Sequence, residues 1–135
     1  MPHVSRYPLS PKAEEEIVKN LNFILSSITK SGEMVSFLNS LLTPTERIML
    51  GKRMAMIVLI EEGLRDSEIS RILHITEMTV SKMRLFYEAR GDGFKVAIQK
   101  LKEQKRLEEF KDTLLSLVEF VGKAGSGHIK KTFGT

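Results

Sequence analysis

Within nine residues, Thr76 to Arg84, the chain gathers Thr76, Glu77, Met78, Thr79, Ser81, Lys82 and Arg84. That is three hydroxyls, one acid, two bases and a thioether. Such a mixture suits the edges of base pairs, which are read by hydrogen bonds and by apolar contact with thymine methyls. The expectation is that Glu77, Met78 and Ser81 face base edges. Lys82 meets a guanine edge or a phosphate, and Thr76, Thr79 and Arg84 touch the DNA backbone. Glu77 is costly beside DNA unless it accepts from cytosine N4. It has a second reading, as an acid complementing the positive end of a helix.

A reading surface needs a helix to carry it and a second element to hold that helix. Ile69, Leu73, Ile75, Val80 and Met83 follow one another at intervals of four, two, five and three. Intervals of four and three keep side chains on one helical face. The interval of two across His74 marks a reversal, so these residues form the seam of a helix-turn-helix. The spacing predicts helices over 66–73 and 77–89. Thr76 stands at the N-cap of the second, where its hydroxyl can satisfy an orphan N–H. Ser70 is small where the two helices must approach. His74 takes the turn position, and histidine tolerates positive φ better than most residues. At about 100° per residue, Val80, Met83 and Tyr87 point inward. Met78, Lys82, Leu85 and Ala89 then point outward. Met78, Leu85 and Phe86 have an alternative reading as partner surface.

The rest of the chain is also patterned as helix. Ser10-Pro11 reads as a cap and first turn, followed by Ile17, Leu21, Ile24, Leu25 and Ile28 over a helix of 11–30 that Ser31-Gly32 closes. A short helix with Val35, Leu38 and Leu42 comes next. Thr43-Pro44-Thr45-Glu46 is a capping box. The helix it opens runs to about Glu62, with Leu50, Met54, Ile57, Val58 and Ile60 as its apolar side and Gly63 as a left-handed stop. After Arg90-Gly91-Asp92-Gly93 a helix starts near Phe94. Whether 94–121 is one helix or two joined near 104 stays open. The four parts are an N-terminal helical arm (1–34), a core (35–103), a C-terminal helix (104–121) and a flexible basic tail (122–135). The apolar stripes of 11–30 and 94–121 either pack inside one monomer or meet a second chain.

Composition narrows the function classes. The 135 residues carry a net charge of +4, which permits an anionic partner without naming one. Residues 44–90 hold eight bases against seven acids, so charge alone does not find the reading helix. There are no cysteines, which excludes disulfides and thiolate metal sites. His3, His74 and His128 are too scattered for a local metal cluster. The longest clean apolar run, Met54 to Ile60, is about a third of a bilayer span. No secretory pattern opens the chain, and a cytoplasmic location is expected. No phosphate-binding glycine loop, Ser–His–Asp set or paired carboxylates appear, so an enzyme is not expected and no cofactor is called for.

With those residues in view, the chain resembles the Trp repressor-like superfamily, and more closely the bacterial Trp repressor-related proteins. The resemblance rests on Phe37 to Arg47, Leu50-Gly51-Lys52-Arg53, Glu62-Gly63-Leu64, Asp66 to Ile69, Thr79-Val80-Ser81-Lys82, and Gly91-Asp92-Gly93-Phe94 followed by Ala97 and Leu101. It covers about residues 35–103. It implies an all-α, intertwined homodimer that binds double-stranded DNA through two recognition helices and represses transcription. In Trp repressor the corepressor sits between two arginines with a glycine beside the second. Arg53 matches the first arginine, Lys82 replaces the second and Met83 replaces the glycine. Lysine does not stack as a guanidinium does, so no tryptophan corepressor is expected, and Arg53 is read as a surface or interhelix salt-bridge residue. The basic tail, with Lys123, Lys130 and Lys131, either adds phosphate contacts or only solubilises.

Two other readings share these residues. One is a sigma-factor region-four or response-regulator type DNA-binding domain. The 18 residues between Pro44 and Gly63 are more than such domains use. The other is a helical interaction module that keeps the fold without binding DNA.

Overall fold

The computed structural model describes residues 7–121, and among them every regular element is a helix. They are α1 (Pro11–Ser27), α2 (Ser31–Leu41), α3 (Pro44–Glu61), α4 (Asp66–Leu73), α5 (Glu77–Arg90), α6 (Asp92–Glu103) and α7 (Leu107–Val121). The expected basic tail lies outside the described residues. The chain divides into two compact units, one ending at Arg47 and one beginning at Ile48.

In the first unit the helix ends are well made. Ser10 Oγ accepts from the Ala13 N–H at 3.2 Å, with Pro11 in the first turn. Thr43 and Glu46 form the expected box: the Thr43 N–H donates to Glu46 Oε1 at 2.8 Å, and the Glu46 N–H donates to Thr43 Oγ1 at 3.1 Å. The Thr43 backbone N–H, and after it the Thr43 side chain, hold the Glu46 carboxyl below its ordinary value. One expectation is corrected. Ser31-Gly32 does not close α1; α1 stops at Ser27, and Ser31 opens α2. The break falls on Ile28-Thr29, two β-branched residues that favour extended backbone, and Ile28 adopts it. Neither α1 nor α2 contains a buried residue.

The second unit holds the core. Ala55, Met56, Ile57, Val58 and Leu59 are buried in succession, so this half of α3 is enclosed on every side. The one-sided stripe expected from Leu50 to Ile60 is therefore corrected: Leu50 is 51% exposed. Gly63 takes φ 87°, its N–H bonds to the Ile60 carbonyl at 3.0 Å, and the Leu64 N–H reaches the Leu59 carbonyl at 3.2 Å. That is a Schellman stop, and the buried Leu64 anchors it. Ile69, Ile72 and Leu73 from α4, Val80 and Tyr87 from α5, Ile98 from α6, and Leu107 and Leu114 from α7 complete the cluster.

Gly91 joins α5 to α6, which begins at Asp92 rather than near Phe94. A β-carbon on Gly91 would sit 2.6 Å from the Tyr87 ring and closer still to the Tyr87 carbonyl, so the junction needs glycine for space. Tyr87 stacks edge-on against Phe94 with centroids 6.2 Å apart. The question left open near residue 104 is answered by two helices. Lys105 turns at φ 56°, and the Arg106 N–H caps the Leu101 carbonyl at 2.8 Å. The single C-terminal helix expected from 104 accordingly starts at Leu107. Lys111 on α7 pairs with Glu62 and, at 3.3 Å, with Glu108; these acids, Glu62 first, raise its pKa.

Candidate nucleic-acid interface

Helices α4 and α5 and the turn between them form the expected helix-turn-helix. His74 ends α4 in the left-handed region at φ 54°, and its N–H bonds to the Ser70 carbonyl. The Ile75 N–H reaches the same carbonyl at 3.2 Å, while the Ser70 hydroxyl returns to the Ile75 carbonyl. The small residue read as a packing concession thus also ties the turn. Thr76 Oγ1 caps α5 by accepting from the Thr79 N–H at 3.1 Å. Ile69 and Val80 are completely buried, Leu73 is buried, and Ile75 and Met83 pack against them half-buried. The seam buries apolar surface worth about 1.5–3 kcal/mol for each fully buried side chain.

With Val80 and Tyr87 fixed inward, the opposite face of α5 is open. Met78 and Leu85 are each 67% exposed, and Glu77, Thr79, Lys82 and Ala89 are exposed as well. The structure therefore groups Glu77, Met78, Thr79 and Lys82 at the leading end of one helix. Thr76 stands beside them, its hydroxyl also 2.8 Å from that of Thr79.

Ser81 and Arg84 stand apart from that group. Both are half-buried and both turn toward α4. Ser81 Oγ donates to Asp66 Oδ2 at 2.5 Å. Arg84 Nε and Nη2 lie 2.9 and 2.8 Å from Asp66 Oδ1, and Nη2 also donates to the Leu64 carbonyl at 2.8 Å. The Ser81 hydroxyl, and after it Arg84, hold the Asp66 carboxyl below its ordinary value against the opposing effect of burial. An open groove of about 580 Å3 follows this side of the motif, lined by residues 63–67 with Glu77, Ser81 and Arg84.

Sequence reasoning did not find Asp66. It stands 15 residues before Ser81 and 18 before Arg84, and an acid in a first turn has a sufficient local reason to be there. Glu61 was missed in the same way. It accepts from the Tyr87 hydroxyl, whose pKa is pushed up to about 12 by burial first and by this carboxylate second. At the positions bearing on a corepressor, Arg53 lies on α3, Lys82 is exposed on α5, and Met83 belongs to the seam. Among the described residues no group of three His, Asp or Glu could hold a metal ion. No described helix is long and apolar enough to cross a membrane.

The family model described as "Trp repressor protein" aligns with residues 16–102, well over half of the chain. The alignment begins inside α1, earlier than the segment whose motifs carried the resemblance. No curated protein and no solved structure matches.

Proposed function

The chain belongs to the Trp repressor family, a family of DNA-binding regulators, and on that premise we propose that it is a transcriptional repressor that enters the major groove with α5 as a homodimer. The observation that carries this reading is the open leading end of α5. Glu77, Met78, Thr79 and Lys82 face solvent from a helix whose other side is locked into the seam. Met78 supplies apolar contact for a thymine methyl, Thr79 a hydroxyl for the backbone, and Lys82 a cation for a guanine edge or a phosphate. Glu77 accepts from cytosine where the site offers one.

The homodimer is supported by the first unit. Ile17 is 58% and Phe23 67% exposed, and neither α1 nor α2 buries any of its apolar side chains. A second copy would cover them. Two-fold symmetry then sets two α5 helices about 34–36 Å apart, as in helix-turn-helix repressors generally, Trp repressor among them. Such a regulator works in the cytoplasm, beside the chromosome. Tryptophan is not its corepressor, because Lys82 and Met83 replace a planar cation and a space-giving glycine. Isothermal titration with L-tryptophan should give no saturable heat. Saturable binding that Arg53→Ala abolishes would reverse that conclusion.

Selection of bound fragments from a random duplex library tests the whole reading. The expected product is an enriched sequence of two-fold character with half-sites one helical turn apart. Lys82→Ala should then weaken binding and, where Lys82 neutralises a phosphate, lower the salt slope by about 1.8, or about 0.9 for each protomer. A library that returns no enriched sequence rejects the proposal.

A further inference from the structure

We infer that Asp66 is a positioning residue that sets the specificity of DNA recognition, by holding Ser81 and Arg84 of α5 off the DNA and fixing the rotation of that helix about its axis. This rests on the DNA-binding reading and goes beyond it.

The seam alone leaves a gap in the specification of α5. Apolar contact has no direction, so Val80 and Met83 set how deep the helix sits better than they set its angle. A turn of a few tens of degrees would re-aim every side chain of the leading end. Asp66 removes that freedom. Ser81 and Arg84 lie three apart, one above the other on the helix surface, and a single carboxylate accepts from both. Two fixed points on successive turns hold the helix against rotation.

Charge gives the same assignment. Arg84 is a permanent cation on the helix nearest the DNA, and released it would seek phosphates, which bind without regard to sequence. In the structure its Nε and Nη2 are committed to Asp66 and to the Leu64 carbonyl. Asp66 cancels its charge at 2.8 Å. The cations left on the outer face are correspondingly fewer, and base contacts carry more of the affinity. The pair is about 30% exposed on each side, 29% for Arg84 and 31% for Asp66. Such pairs stabilise a fold little, so the motif should survive the loss of Asp66 and reveal what the pair does for recognition.

The test is fluorescence anisotropy with the selected duplex and with random duplex over a range of salt. It compares wild type, Asp66→Ala and Asp66→Ala/Arg84→Ala. For Asp66→Ala the expected result is several-fold tighter binding of random duplex. Its salt slope should be steeper by about 1.8, one more phosphate contact from each protomer of the dimer, and its preference for the selected duplex about tenfold smaller. The double variant should return to the wild-type slope without regaining the preference. A merely structural role for Asp66 would weaken both duplexes and leave the slope alone. Circular dichroism checks folding, and Asp66→Asn carries the same test if Asp66→Ala does not fold. Wild type that selects its duplex while Asp66→Ala, or Asp66→Asn in its place, keeps its slope and preference overturns this inference alone. Wild type with no preference for duplex over a polyanion removes the DNA-binding reading and the inference together.

Discussion

The unit ending at Arg47 and the unit beginning at Ile48 are both helical and both capped, yet their side chains meet different fates. Ser10 caps α1 with the same bond, at nearly the same length, that Thr76 uses to cap α5. Behind Thr76 lie Val80 and Tyr87, both buried. Behind Ser10 lie Ile17, Val18 and Leu21, all exposed. Caps and spacing decide where a helix starts and stops. Whether its apolar face is satisfied depends on what else is present to bury it. The second unit answers that from its own helices, and under the proposed reading the first answers it from another copy.

The largest expected effect breaks this comparison directly. Ile69 is completely buried at the centre of the seam, so Ile69→Ala should cost about 2–5 kcal/mol in urea unfolding. Ile17→Asp should do comparable damage only if a partner covers it, together with a shift from dimer to monomer in sedimentation. If Ile17 faces water in the working protein, the change stays within about 0.5 kcal/mol and the mass is unaltered. That result would leave the two units different in kind and withdraw the homodimer.

Glycine sharpens the same contrast with a smaller effect. Gly91→Ala must push against the ring and carbonyl of Tyr87, and overpacking of this kind costs about 1–3 kcal/mol. A β-carbon on Gly32 of α2 would meet no atom within 4 Å. Gly32→Ala should therefore stabilise by about 0.5–1 kcal/mol through reduced chain entropy. A cost at Gly32 as large as that at Gly91, seen in thermal unfolding, would mean that α2 is packed closely by something else. Similar in size to the Gly32 effect is Thr76→Ala, which removes the cap of α5 and should cost about 1 kcal/mol. Its effect on binding the selected duplex should exceed its effect on stability, because Thr76 borders the reading surface.

What can be read from sequence follows from how far each interaction reaches along the chain. The Thr43–Glu46 box, the Thr76 cap and the seam from Ile69 to Met83 involve neighbours, and residue type with spacing is enough to place them. The bend at Lys105 stays undecided in the sequence, where one helix and two joined near 104 read equally well, because a lysine occupies a left-handed position where glycine would have announced the turn. Ser31-Gly32 misleads because the same residue pair suits a helix start as well as a stop. Leu50 resembles core because periodicity shows which face is apolar and not which turn of α3 the core encloses. In the interface, the outward face of α5 is legible from one angle calculation. The commitment of Ser81 and Arg84 is not, since their partner Asp66 lies on another helix and nothing local points to it.

The smallest effect separates two acids, one in each unit, that both titrate below their ordinary values. Glu46 owes its shift chiefly to the backbone N–H of Thr43, whereas Asp66 owes its own chiefly to the Ser81 hydroxyl. A lowered folded pKa means stability that is present above the unfolded value and lost as pH falls through the folded one. Both contributions therefore act at neutral pH and fade below about pH 4. For Asp66 the amount is under about 1 kcal/mol, since water screens a pair this exposed. Carboxyl titrations by NMR distinguish the two. Thr43→Ala keeps the N–H, so Glu46 should stay low. Ser81→Ala removes the principal donor, so Asp66 should climb toward its ordinary 3.8 and the acid limb of its stability curve should flatten. Arg84→Ala should move Asp66 less. Were Arg84→Ala to move it more than Ser81→Ala, the ion pair would be the main polar tie between α4 and α5, and the hydroxyl an accessory to it.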